Sequence, residues 1–139
     1  MTRLLAVVAV PLFALAACSG GEVEKQADAR PVAVADERLP DGFTLYQGQQ
    51  DALEVQESSP PTGGKIITFS VIAPAEQILR HYEREAEAAG LAYAGRLNAG
   101  EILSWEGRRE GEGTPRTFGV TVLRKSEYSN VTLMFDVTQ

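Results

Sequence analysis

KIITFSVIAPAEQILRHYEREAEAAG, residues 65–90, is the stretch that decides the fold. Apolar and hydroxyl-bearing side chains alternate over residues 67–71, and this period of two predicts a β-strand with one apolar face. After Pro74, which suits a first helical position, apolar residues recur every three or four positions. That spacing predicts an amphipathic helix over residues 74–89, with Gly90 as its left-handed stop.

Alternation of the same kind returns after the helix, over residues 117–122 and 131–137. Turn-forming glycine, proline and asparagine residues separate these stretches from shorter strand candidates. The shorter candidates cover residues 43–46, 52–57, 91–97 and 102–106. Because strands both precede and follow a single helix, the sequence predicts the α+β class, with an antiparallel β-sheet and the helix packed on one face.

One helix is too narrow to cover the apolar face of such a sheet. A helix of this length is about 24 Å long and about 10 Å wide, whereas five or more strands make a sheet more than about 20 Å across. We expect sheet curvature and residues 39–50 to cover the remainder. A second copy of the chain or a partner protein is the alternative.

The first 17 residues have the layout of a cleaved export signal. Arg3 precedes an apolar run over residues 4–14, and small residues follow that run. The run is shorter than the roughly 20 residues that a membrane-spanning helix needs. Residues 1–17 are therefore predicted to be a signal peptide.

The end of this segment, Leu15-Ala16-Ala17-Cys18, resembles the lipobox of bacterial lipoproteins. The resemblance implies cleavage between Ala17 and Cys18, a diacylglycerol on the Cys18 thiol and acylation of the new amine. The protein would then be held to a membrane by its N-terminal lipid. An ordinary secretory signal with a chance cysteine is the alternative.

The residue after the cysteine bears on where the protein is sorted. Ser19 stands where an aspartate commonly retains Gram-negative lipoproteins in the inner membrane. By this resemblance the protein belongs to the outer membrane and faces the periplasm. In a Gram-positive host the same residues would imply attachment to the cytoplasmic membrane.

The remaining sequence divides into a spacer and one domain. Residues 18–38 carry few large side chains and are predicted to be a lipidated, flexible tether, whereas residues 39–139 suit a single domain. The full chain has 13 basic and 19 acidic side chains, and signal cleavage removes Arg3. This acidic excess argues against nucleic acid or anionic lipid as a partner.

No residue pattern in the domain predicts catalysis, a metal site or a cofactor. His81 is the sole histidine, and neither Ser104 nor Ser126 has the flanking glycines of a nucleophile elbow. We therefore expect a non-enzymatic protein. Trp105, with Arg108 and Arg109 nearby, is a possible protein interface, because these residue types are enriched at binding hot spots. The alternative places Trp105 in the core.

Residues 39–139 are also similar, more weakly, to small uncharacterised bacterial envelope domains of α+β type. The similarity rests on Leu39-Pro40-Asp41-Gly42-Phe43, on the helix with Tyr82 in its middle and on Ala89-Gly90-Leu91 at its exit. It implies a fold and no catalytic residues. The sequence therefore favours an accessory or protein-interaction module of the envelope. The alternative function is binding of a small or lipidic ligand between helix and sheet, in a cavity lined by Leu79, Tyr82, Phe69 and Phe135.

Overall fold

The computed structural model describes residues 32–136. Within this range lie one α-helix and eight β-strands. The elements in chain order are β1 (Ala33–Val34), β2 (Leu45–Tyr46), β3 (Leu53–Ser58), β4 (Lys65–Val71), α1 (Ala75–Ala88), β5 (Ala92–Ala99), β6 (Ile102–Arg108), β7 (Thr117–Arg124) and β8 (Ser129–Asp136).

Six of the strands form one antiparallel sheet in the order β3-β4-β8-β7-β6-β5. The four strands from β5 to β8 run as a meander, and the β3–β4 hairpin joins it through pairing of β4 with β8. β1 and β2 form a separate two-stranded sheet. The predicted α+β class, with a single helix and an antiparallel sheet, is confirmed for the described residues.

The helix starts one residue later than predicted and ends as its sequence suggests. Pro74 is the N-cap rather than the first helical residue, because its ψ of 132° is extended. At the other end the N–H of Leu91 donates to the carbonyl of Ala86, and that of Gly90 donates to the carbonyl of Glu87. With Gly90 at φ +84°, these bonds make a Schellman motif.

Strand alternation gives the six-stranded sheet a buried face and an open face. On β8, Val131, Leu133 and Phe135 are at most 2% exposed, whereas Thr132 and Met134 between them are partly exposed. The buried side chains of β4, β6 and β7 belong to the same core, as do those of α1. The helix contacts β5, β6 and β7.

The segment of residues 39–47 supplies the other part of this core. Leu39, Phe43, Leu45 and Tyr46 are all at most 8% exposed. The ring centroid of Phe43 lies 4.7 Å from that of Phe118 and 5.0 Å from that of Phe135, in β7 and β8. The predicted contribution of residues 39–50 to the core is therefore present.

Residues 32–38, which the sequence assigns to the tether, carry defined structure. β1 pairs with β2 through Ala33–Tyr46 and Val34–Leu45. Arg38 donates a side-chain hydrogen bond to the carbonyl of Val55. These contacts join the segment to the domain, so the structured part begins before residue 39.

The predicted signal peptide, Ala17, Cys18 and residues 19–31 of the predicted tether lie outside the described residues. The last three residues, 137–139, lie outside them as well. Between residues 32 and 136, α1 is too short and too polar to cross a membrane.

Candidate interaction surface

Of the three predicted interface residues, one is in the core. Trp105 is 0% exposed, and its ring lies 6.3 Å from Phe118 and 6.5 Å from Tyr93 between centroids. A Cβ atom on Gly107 would come within 2.4 Å of the indole, so the ring fills the space that this glycine leaves. A side chain buried in this way cannot contact a partner directly. Trp105 therefore fits the core alternative.

The indole N–H of Trp105 is buried and has no hydrogen-bond partner among the described residues. Leaving a buried donor unpaired costs about 1–3 kcal/mol. The ring therefore stabilises the domain through its packing rather than through polar bonding.

Arg109 is a structural residue that closes the helix. Its guanidinium donates a hydrogen bond to the carbonyl of Ala89, the C-cap, and another to the carbonyl of Pro115 at 3.4 Å. A cation near the C-terminus of a helix is favoured by the helix dipole. Arg109 thus ties the loop of residues 109–116 to the end of α1.

Arg108, by contrast, is exposed on the open face of the sheet. The strand register aligns it with Thr117, which is in turn aligned with Asp136. Glu106 projects from the same face two residues before it. Of the three predicted interface residues, Arg108 is the one available for contact, and its charge lies at one end of the open face.

His81 belongs to a polar cluster that joins α1 to the segment of residues 39–47. Its Nε2 atom lies 3.1 Å from Thr44 Oγ1 and 3.1 Å from Glu85 Oε1. Thr44 donates both its N–H, at 3.1 Å, and its hydroxyl to the Glu85 carboxylate. Every polar atom named here bonds another within the cluster, so the arrangement fastens two elements together rather than exposing a nucleophile.

Tyr82 makes the second connection between these elements. Its hydroxyl donates to the carbonyl of Thr44 and accepts from the N–H of Tyr46, both at 3.0 Å. Burial raises the pKa of Tyr82 far above its ordinary value. The hydroxyl therefore stays protonated and stays bonded.

The four side chains expected to line a ligand cavity are all in the core. Leu79 and Tyr82 are at most 1% exposed, and Phe69 and Phe135 at most 3%. Two hollows, described next, lie on the other face of the sheet. A ligand between helix and sheet would have to displace these packed side chains.

The open face carries a row of uncharged polar side chains that crosses five strands. We call it the polar row. The strand register aligns its members side by side, in the order Gln56, Thr68, Thr132, Thr121 and Ser104. Ile66 and Met134 flank the polar row on one side, and Ile102 and Leu123 flank it on the other.

Two open hollows follow the polar row. One, of about 450 Å³, is lined by Thr68, Thr121, Thr132, Ile102 and Leu123, among others. The other, of about 620 Å³, extends from Ile66 and Met134 toward the charged end of the face. The open face is therefore concave, largely uncharged at its middle and charged at one end.

The polar row was not predicted from the sequence, although the sequence contains its residues. Each Thr or Ser is a polar position in a predicted alternating strand. Which of them stand side by side depends on strand order and register, since β4 pairs with β8, a strand far away in the chain. Alternation within one strand carries no such information.

Within residues 32–136 no group of three or more His, Cys, Asp or Glu side chains could hold a metal ion. The sequence matches no protein-family model and no curated protein.

Proposed function

We propose that this protein is a non-catalytic, lipid-anchored module of the bacterial envelope that acts through protein contacts on the open face of its sheet. Cys18 carries the lipid, and cleavage follows Ala17. The sequence Leu15-Ala16-Ala17-Cys18 supports this part of the proposal. Ser19 favours the outer membrane, with the domain in the periplasm.

In this proposal α1 is packed on the buried face, and residues 39–47 cover the part that the helix leaves. The contacts of α1 with β5, β6 and β7 support that arrangement, as do the ring contacts of Phe43. The open face, on the other side of the sheet, is then the surface on which a partner would bind.

The observation that carries the proposal is the composition of the polar row and its flanks. The solvated face of an antiparallel sheet is commonly polar, and the centre of this one is uncharged and bordered by apolar side chains. Here the centre is Thr132 and Thr121, with Met134 39% exposed beside them. Protein interfaces are likewise depleted of charge at the core and polar at the rim. Hydroxyl groups there can bond a partner without the desolvation cost of a charge.

Binding of a ligand between helix and sheet remains the alternative function. The burial of Leu79 and Tyr82 counts against it, since both are packed in the core.

The test is photo-crosslinking in living bacteria that express the full chain. A photoreactive amino acid at Thr132 reports on the open face, and the same amino acid at Glu87 is the matched control on the exposed side of α1. We expect a discrete crosslinked product from Thr132 and much less from Glu87. A second open-face position, Thr121, should give the same product.

Equal crosslinking from Thr132 and Glu87, or none from either, would count against the open face as the contact surface. Incorporation of a labelled fatty acid, read on the same samples, reports separately on the anchor. Cys18→Ser is expected to abolish that label.

A further inference from the structure

The two edge strands of the sheet differ in how well they are protected against pairing with another chain. β3 is six residues long and carries Glu54 and Glu57. Its register shifts between Leu53 and Gln56, and Glu54 has a φ of +55°. Acidic side chains, a bulge and short length are the usual protections of an edge. β3 therefore offers only a short regular stretch.

β5, at the other edge, lacks most of these protections. It is eight residues long, contains no proline and has Arg96 as its single charged residue. All of its residues except Gly95 are exposed. Its register with β6 is irregular between Tyr93 and Gly95 and regular from Gly95 to Ala99. No other described strand pairs with its outer side.

Apolar side chains collect beside the regular part of β5. Leu97 is 49% exposed and Ile102 is 39% exposed. Ala99 pairs with Ile102 across the hairpin, and Ile102 pairs with Leu123. Since these four residues share the open face, they form an apolar patch that reaches the edge of the sheet.

We propose that β5 pairs antiparallel with β5 of a second copy of this chain, about a two-fold axis through Leu97. Antiparallel pairing about that axis sets Leu97 opposite its own counterpart and Gly95 opposite Ala99. The apolar patches of the two copies then meet across the axis, and the two sheets join into one.

Charge favours a second copy in this register. Arg96, whose guanidinium lies 3.8 Å from the Glu83 carboxylate of α1, is set opposite Asn98 of the other copy. The one charge on the strand then faces an amide whose oxygen can accept a further hydrogen bond from it. A register centred on Arg96 would instead oppose two like charges, which is destabilising. The strand is thus self-complementary about Leu97, and an isologous dimer requires such self-complementarity.

Pairing through five residues buries less surface than a stable dimer normally does. The association is therefore weak in dilute solution. If the lipid anchor of the proposed function holds, two copies confined to one membrane meet at a higher effective concentration. The pairing itself does not depend on the anchor.

The test is thiol crosslinking of the full chain in membranes and, in parallel, after purification in detergent. Leu97→Cys places a thiol on the proposed axis, and Gln56→Cys places one at an exposed position of the opposite edge, β3. A short bis-maleimide is the probe. We expect a crosslinked homodimer from Leu97→Cys and background from Gln56→Cys. The unsubstituted chain shows whether Cys18 contributes.

Charge at position 98 tests the register. In the Leu97→Cys chain, Asn98→Glu sets two carboxylates opposite the two Arg96 side chains and should raise the dimer fraction about three- to tenfold. Asn98→Arg opposes like charges and should lower it by a similar factor. Position 98 is exposed, so we expect either change to leave the free energy of unfolding nearly unchanged.

Three results would overturn the proposal: equal dimer from both edges, no response to charge at position 98, or crosslinks from Leu97→Cys to a different protein without homodimer. The crosslinking in detergent does not require a membrane anchor, so these outcomes can be read even if the anchor is absent. If a labelled fatty acid does not incorporate, the proposed anchor is refuted. The crosslinked homodimer band would still test the dimer proposal.

Discussion

The two faces of the six-stranded sheet are built from the same strands and have opposite compositions. On β7, Phe118, Val120 and Val122 are at most 1% exposed, while Thr121 between the two valines is half-buried. The buried side chains make the ring contacts and apolar packing of the core. The open side chains form the polar row. The buried face therefore stabilises the fold, whereas the side chains of the open face are available for contact.

This difference has a direct consequence for mutagenesis. Substitutions on the buried face should change stability and disturb binding only through unfolding. Substitutions on the open face should change binding at nearly constant stability. The following predictions run from the largest expected effect to the smallest.

Trp105→Ala should be the most damaging change. Loss of a large buried aromatic side chain costs about 3–5 kcal/mol, measured as the change in free energy of unfolding in urea. Trp105→Phe is the matched control and should cost clearly less, because the lost indole N–H has no partner in the described structure. Equal losses from the two variants would contradict the packing role of the ring.

Tyr82→Phe should have an intermediate effect on stability. It removes the hydroxyl that bonds both Thr44 and Tyr46, and it leaves the buried N–H of Tyr46 without that acceptor. The expected cost is about 1–3 kcal/mol, again from urea unfolding. A cost near zero would mean that the hydroxyl does not fasten residues 39–47 to α1.

Thr132→Arg should separate the two faces most clearly. Its side chain is on the open face, so the free energy of unfolding should change by less than about 1 kcal/mol. The photo-crosslink from Thr121 should nevertheless be lost, since a long charged side chain would fill the middle of the polar row. Thr132→Val, which keeps the shape, is the control. Retained crosslinking in Thr132→Arg would exclude this face as the contact surface.

The smallest effect on stability should come from a change at Asp36, which precedes the six-stranded sheet in the chain. Hydrogen bonds from Arg38 hold the pKa of the Asp36 carboxyl below its ordinary 3.8. The charged form is thus favoured in the folded state, and its stabilisation is lost as the pH falls through 3.8 and below. Asp36→Asn should cost less than about 1 kcal/mol at pH 6.

The pH dependence supplies the check. The difference in urea midpoint between the unsubstituted protein and Asp36→Asn should shrink as the pH is lowered from 6 to 3. A difference that grows over that range would contradict the direction of the pKa shift.

Local patterns in the sequence predicted most of the secondary structure. Residues 117–122 and 131–137 alternate strictly, and each corresponds to a strand of the sheet. The predicted helix agrees with the observed one to within one residue at each end, and Gly90 and Leu91 form the hydrogen bonds that end it. These features depend on residues close together in the chain, so their patterns are visible in a single sequence.

Features that depend on distant pairings were not predictable. β4 pairs with β8, and that pairing brings Thr68 beside Thr132. The sequence places Arg109 in a candidate interface, yet its guanidinium bonds the carbonyl of Ala89, 20 residues earlier, at the end of α1. The sequence is compatible with Trp105 in an interface or in the core, since the burial of its side chain depends on how the strands assemble.

The central claim is that acyl chains on Cys18 hold this domain at a membrane. The most direct test is the intact mass of the protein extracted from the membranes of a bacterial host that processes lipoproteins. We predict a polypeptide that begins at Cys18 and is heavier than its amino acids by a diacylglyceryl group and an amide-linked acyl chain. A polypeptide that begins elsewhere, or whose mass equals that of its amino acids, would contradict the claim.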